Sequence, residues 1–286
     1  MKLPRTTSPR RQRATAPAPK IHYTIAGLPD PVAGGYSFDV HYANGTLDVI
    51  ALAGTMGYVC KPNGKIDPKR RWVLISPMYL GLNSKQQGEM VYRNYIEPLL
   101  AAGFHVAGID IGTTLGSPAG VAIYQAFYEY VVKKYRLNKR VRAIAQSNGG
   151  LRVYCWAYRH PREIERIFGI FPAVDLRDWP GLARIFSPLI PPGMVYPLTP
   201  TELDARLAEF NPIENLAPLA KAGVKIFHVH GDKDTMVRPG PNTIECGRRY
   251  KALGGSFEQE IVIGGDHDNS PPFYQCKRGL EFLLED

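Results

Sequence analysis

Six strand-like segments, separated by segments of helical character, constrain this chain more than any other feature. They are Trp72–Ile75, Phe104–Ile109, Val141–Ala145, Ile164–Phe171, Val224–Val229 and Phe257–Ile263. The first, Trp72–Ile75, is a continuous apolar run, which suits a strand buried on both faces, because a solvated face would need a polar residue at every second position. Helical stretches lie between the six segments. The first opens at Ser84-Lys85-Gln86-Gln87, which has the capping-box form, and heads toward Ala102-Gly103. Ala119–Tyr135, Leu151–Tyr158, Thr243–Leu253 and Phe273–Leu284 follow. Such alternation predicts an α/β fold: a mostly parallel central sheet, helices on both faces, and a functional crevice beyond the carboxyl ends of the strands.

Two segments break the rhythm. Tyr36–Tyr42 and Thr46–Leu52 alternate apolar with polar residues around Asn44-Gly45, which predicts an N-terminal antiparallel hairpin. The Gly- and Lys-rich stretch Gly54–Arg71 then reads as a loop. Residues 175–223 carry eight prolines and one clear helical stretch, Thr201–Phe210. That segment is too short for a core of its own, so it is expected to be a Pro-rich, cap-like insertion. The expected organisation is a basic leader over residues 1–20 and a single α/β domain over residues 21–286.

The formal net charge of +9 suggests a nucleic-acid partner until its distribution is examined. Lys2, Arg5, Arg10, Arg11, Arg13 and Lys20 supply six of those charges, and no acid precedes Asp30. The basicity thus belongs largely to a Pro- and Thr-rich leader that reads as solvated and disordered, and no nucleic acid partner is expected. No apolar stretch approaches the roughly 20 residues that span a bilayer. No secretory core follows the leader charges, so a cytoplasmic location is favoured, with a mature secreted or organellar form as the alternative. Cys60, Cys155, Cys246 and Cys276 are too scattered for a disulfide framework; a Cys246–Cys276 bridge stays open. Composition does not address oligomeric state.

Three motifs carry chemistry. Ala145-Gln146-Ser147-Asn148-Gly149-Gly150 lies between a strand and a helix and resembles the nucleophile elbow, usually G-x-S-x-G, of the α/β-hydrolase family. Ala145 departs from the first glycine by one methyl group. His230-Gly231-Asp232-Lys233-Asp234-Thr235-Met236-Val237 is similar to the segment by which that family presents its acid, with Asp234 in the acid position and Asp232 and Asp175 as alternatives. Gly264-Gly265-Asp266-His267-Asp268 follows the last strand, where the family carries its base. The order Ser147, Asp234, His267 is the family order.

The resemblance, which runs from about Gly35 to the C-terminus, implies a serine hydrolase with no cofactor. Ser147 would be the nucleophile, His267 the base and Asp234 its orienting acid. The oxyanion hole would use the N–H of Asn148 and, by similarity of Ser76-Pro77-Met78-Tyr79 to a loop of cutinase-like esterases, the N–H of Tyr79; Pro77 has none to give, and Met78 is the second choice. The dienelactone-hydrolase, prolyl-oligopeptidase-like and acyl-esterase branches are all similar. An acyl, aryl or carbohydrate ester is the expected small-molecule substrate, with a peptide bond or lactone as the alternative within the fold. Trp179 and Phe273 are the expected substrate-binding residues, and Phe186, Tyr196 and Tyr274 also fall near the crevice. Two further classes compete. His228, His230 and Asp232 form H-x-H-x-D, which could ligate zinc, although Lys233 stands where metallo-β-lactamase-like hydrolases have histidine. A non-catalytic binding member of the fold would have no need of all three triad residues.

Overall fold

The computed structural model describes residues 45–77, 90–112, 114–185, 195–268 and 270–286. The leader, Tyr36–Tyr42 and the Ser84 capping box lie outside them. In chain order the strands β1 (Gly45–Leu52), β2 (Thr55–Pro62) and β3 (Trp72–Ser76) come first. A π turn (Tyr92–Ile96) runs into α1 (Glu97–Ala101), followed by β4 (His105–Ile109), α2 (Pro118–Tyr135), β5 (Val141–Gln146), α3 (Gly149–Arg159) and β6 (Ile164–Ile170). The short helices α4 (Leu182–Ile185), α5 (Pro200–Ala205), α6 (Leu207–Phe210) and α7 (Ala217–Lys221) occupy the insertion. Then come β7 (Lys225–Gly231), a π turn (Gly240–Ile244) into α8 (Glu245–Ala252), β8 (Phe257–Val262), α9 (Pro271–Tyr274) and α10 (Lys277–Leu284).

The eight strands form one sheet in the order β1-β2-β4-β3-β5-β6-β7-β8. Strand β2 is antiparallel to both β1 and β4, and the remaining pairs are parallel. The continuous apolar run of β3 is explained by burial on two faces. Trp72 and Leu74 of β3 join the core under α2, α3 and α8, while Val73 and Ile75 join the core under α1 and α10. Each such side chain, fully withdrawn from water, contributes about 1.5–3 kcal/mol.

An antiparallel hairpin stands at the N-terminal end of the sheet, formed by β1 and β2; pairing of Tyr36–Tyr42 lies outside the described residues. Strand β1 pairs with β2 through Leu52↔Thr55, and the turn is Ala53-Gly54, both at positive φ (52° and 74°). That two-residue geometry matches strand twist and favours glycine. Gly45 is the first residue of β1, where an added Cβ would sit 2.4 Å from Cys60 Sγ. The predicted loop Gly54–Arg71 therefore contains strand β2; its glycines and prolines disguised it. Two predicted helices are each divided. Thr201–Phe210 breaks at Arg206 (φ −108°, ψ 12°), and Phe273–Leu284 breaks at Gln275-Cys276.

The insertion builds a core only with help from the body. Leu176, Leu203, Leu207 and Phe210 pack with Leu115, Leu151 and Val237. All four cysteines are buried free thiols. Cys246 and Cys276 belong to the two cores on opposite sheet faces, so no bridge joins them. Among the described residues, no helix is long and apolar enough to cross a membrane.

Candidate active site

Strand β5 ends at Gln146 and α3 begins at Gly149, which leaves Ser147 and Asn148 to reverse the chain. Ser147 adopts φ 48°, the left-handed region that costs a non-glycine residue about 1–3 kcal/mol. Its backbone is held there by three hydrogen bonds. Ser147 N donates to Ile170 O at 3.0 Å, and Ser147 O accepts from Gly150 N and Ala173 N, both at 2.9 Å. The turn also presses α3 against β3: a Cβ on Gly149 would stand 2.1 Å from Ser76 O. Ala145 is accommodated, fully buried in the core beneath α2 and α3.

Two loops at the same sheet edge are stitched together. Asp232 Oδ1 accepts from Gly264 N at 2.6 Å, Lys233 N donates to Gly265 O at 2.8 Å, and Asp266 Oδ1 receives Thr235 N at 3.4 Å. Asp232 therefore shapes the loop. Asp175, the third candidate acid, accepts from Arg177 N and Asn211 Nδ2 instead. The stitched loops bring Asp234 and His267 to Ser147. His267 Nε2 lies 2.9 Å from Ser147 Oγ, and His267 Nδ1 lies 2.7 Å from Asp234 Oδ2.

Asp234 is fully buried yet well supplied with donors. Met236 N (3.0 Å) and Val237 N (2.8 Å) bind its Oδ1, while His230 Nε2 stands 3.2 Å from the Oδ2 that faces His267. Burial alone would raise its pKa. The His230, His267 and Val237 N–H groups more than offset that and hold the carboxyl far below the usual range. Behind it runs a buried chain: Tyr154 Oη to His228 Nε2 (2.7 Å), His228 Nδ1 to Thr243 Oγ1 (3.0 Å), and Thr243 Oγ1 to His230 Nδ1 (2.7 Å). His230 Nε2 faces Val237 O at 2.7 Å as well as Asp234, so that nitrogen carries a proton. With one proton per imidazole, every donor in the chain points toward Asp234.

The same bonds settle what H-x-H-x-D does here. Both ring nitrogens of His228 and of His230 are engaged in the fold, and Asp232 is turned to Gly264. Among the described residues no group of three His, Cys, Asp or Glu is arranged to hold a metal ion.

The chemistry allowed is transfer of the Ser147 hydroxyl proton to His267, with Asp234 fixing the ring and balancing its charge. At the N-terminus of α3, no described residue accepts the Asn148 N–H, which remains available to a developing oxyanion. Tyr79 and Met78 lie outside the described residues, as does Phe186. Phe273 requires a correction: it is fully buried, stacked edge-on against Phe171 at 5.1 Å, and packs behind the histidine loop instead of lining a crevice. Tyr196 and Tyr274 are core residues too. Trp179 alone of the described aromatics named for the crevice keeps a partly exposed ring, packed on the insertion core. Sequence reading missed Phe171, which takes φ 36° at the end of β6 and brings its ring within 4.4 Å of the His267 ring. It also missed His230 as a partner of Asp234, although the i, i+2 spacing of His228 and His230 on a strand was the available signal.

No family model and no curated protein matches the chain. Solved structures do. Porphyromonas gingivalis dipeptidyl peptidase 4 aligns with 84% of this chain at TM-score 0.59 and 17% identity. Est1E from Butyrivibrio proteoclasticus aligns with 83% at TM-score 0.58 and 16% identity, and covers 97% of its own length. The Pyrococcus furiosus esterase Pf2001 aligns with 84% at TM-score 0.56 and 18% identity, over 93% of its own length. Against the dipeptidyl peptidase the match spans only 35% of that chain. These likenesses and the strand order give the chain the α/β-hydrolase fold.

Proposed function

We propose that this protein is a serine hydrolase that cleaves a carboxylic ester through an acyl-enzyme. The observation that carries the reading is the continuous hydrogen-bonded series from Ser147 Oγ through His267 to Asp234. In this reading Ser147 Oγ attacks the ester carbonyl as His267 takes its proton, and His267 returns that proton to the departing alcohol. Water, activated by the same imidazole, then releases the acid. Asn148 N–H is one oxyanion donor, and Tyr79 N–H is proposed as the other. Trp179 is proposed to touch the substrate from the insertion.

Peptide hydrolysis is the second reading, favoured by the likeness to dipeptidyl peptidase 4. Only about a third of that enzyme is matched, and an ester is the less demanding substrate for this site. The organisation proposed is a single α/β domain over residues 21–286, with 175–223 inserted and residues 1–20 as a leader.

A fluorophosphonate probe, with the labelled peptide identified by mass spectrometry, tests the assignment. Adduct on Ser147 supports it. An unlabelled Ser147 in folded protein would favour a non-catalytic member of the fold, and activity sensitive to a chelator but not to the probe would favour a metal hydrolase.

A further inference from the structure

Asn242 and Thr243 stand side by side on the π turn Gly240–Ile244, both fully buried, and their side chains bind different parts of the molecule. Neighbouring residues of a helical turn point in different directions, so one short turn can hold two surfaces at once. Single π turns of this kind recur at functional sites.

Asn242 faces the insertion. Its Oδ1 accepts from Val174 N at 2.8 Å and Asp175 N at 3.1 Å. Its Nδ2 donates to Asp178 Oδ2 at 2.7 Å and to Arg238 O at 2.9 Å. The amide thereby uses both its donors and both its acceptor directions. Arg238 closes the same knot, its N donating to Asp178 Oδ2 at 3.1 Å and its Nε to Asp178 Oδ1 at 2.5 Å. The start of the insertion is thus fastened to the turn, and Trp179 is the next residue after Asp178.

Thr243 faces the acid. Its Oγ1 lies 3.0 Å from His228 Nδ1 and 2.7 Å from His230 Nδ1. His230 Nε2 in turn reaches Val237 O at 2.7 Å and Asp234 Oδ2 at 3.2 Å. The loop from Asp234 to Arg238 is therefore tied to the turn twice, by Thr243 through His230 to Val237 O, and by Asn242 directly to Arg238 O.

We propose that Asn242 and Thr243 are positioning residues for the hydrolysis, forming a clamp that keeps the insertion segment before Trp179 in register with Asp234. This rests on the serine-hydrolase reading and adds to it. Adjacent residues of one buried turn serve both hands of the clamp, so slack on one side passes to the other. The segment proposed to touch substrate and the acid that orients the base then cannot shift independently.

Each hand is read by perturbing the other. Of the three tryptophans in the chain, Trp72 and Trp156 are fully buried and Trp179 is partly exposed, so acrylamide quenching of fluorescence reports mainly Trp179. Thr243→Val keeps the side-chain shape and removes the hydroxyl that meets the two imidazoles; it should raise the quenching constant at least about 1.5-fold. Asn242→Asp keeps its shape and sets a second carboxylate against Asp178; it should lower kcat on a small nitrophenyl ester about tenfold. Thr243→Ser should restore the wild-type quenching. Adding Asp178→Asn to Asn242→Asp exchanges amide and carboxylate and should recover part of the kcat.

Should either buried variant fail to fold, Arg238→Ala, at a side chain 66% exposed, should show both effects in smaller measure. Wild-type quenching in Thr243→Val, wild-type kcat in Asn242→Asp, or no recovery by the exchange each overturns the clamp and leaves the hydrolase reading intact. Wild-type protein that neither turns over ester nor takes fluorophosphonate on Ser147 overturns the hydrolase reading and the positioning role with it.

Discussion

His230 stands behind Asp234: its Nε2 lies 3.2 Å from the same carboxylate oxygen that meets His267 Nδ1 at 2.7 Å. The orienting acid is thus gripped from two sides by imidazoles. Replacement by phenylalanine removes the donor and strands the Thr243 hydroxyl. His230→Phe is expected to lower kcat about tenfold or more and stability by about 1–3 kcal/mol. His230→Gln, which can still donate to Val237 O, should recover part of the kcat. Steady-state kinetics with denaturant melts checks this; equal kcat in wild type and His230→Phe would remove His230 from any role in orientation.

Ser147→Ala should reduce hydrolysis of a small nitrophenyl ester at least about a thousandfold while leaving the thermal midpoint nearly unchanged. Alanine keeps the φ penalty of the turn and removes a partly exposed hydroxyl whose described hydrogen bond is to His267, so stability should change little. Residual activity within tenfold of wild type would disprove the nucleophile.

The lowered pKa of Asp234 makes stability depend on pH in a defined window. Its folded pKa lies below the unfolded value of about 3.9, so its contribution is complete above that pH and is lost as pH falls toward the folded value. Urea midpoints measured from pH 5 down to 2 should fall more steeply for wild type than for Asp234→Asn. Parallel slopes would mean that the carboxylate gains nothing from its donors. The same variant should lose about three to four orders of magnitude in kcat.

Gly149→Ala adds a methyl group where Ser76 O already stands at 2.1 Å. The α3–β3 approach must widen, at about 1–3 kcal/mol in stability, and the Asn148 N–H moves with it. Activity is expected to fall further than the melting temperature suggests. An unperturbed kcat would show that the elbow tolerates displacement.

Phe171→Leu keeps an apolar side chain but removes the ring that lies 4.4 Å from His267. A looser imidazole should appear as a lower kcat with little change in KM, since the ring touches the base rather than substrate. A change confined to KM would instead put Phe171 in the binding surface.

Much of the sheet was legible because burial on two faces leaves a mark in one dimension. The stretch Trp72–Ile75 of β3 is apolar at every position because both faces of the strand are buried. Strand β2 was not legible. Gly57 and Pro62 weaken its pattern, and its place depends on partners more than 40 residues distant, such as Ala107 opposite Val59. The breaks at Arg206 and Cys276 were also hidden, because each is imposed by how the flanking turns seat on the body.

Order along the chain and local chemistry determined the candidate triad: a serine in a strand-to-helix turn, then an acid and a histidine each just past a strand. The sequence likewise determined the two-faced sheet. Only the tertiary structure decided which carboxylate meets His267, that His228 and His230 form a hydrogen-bonded chain instead of a metal site, and that Phe273 is core. Those outcomes depend on distances between side chains far apart in the chain, which packing fixes and no local pattern encodes.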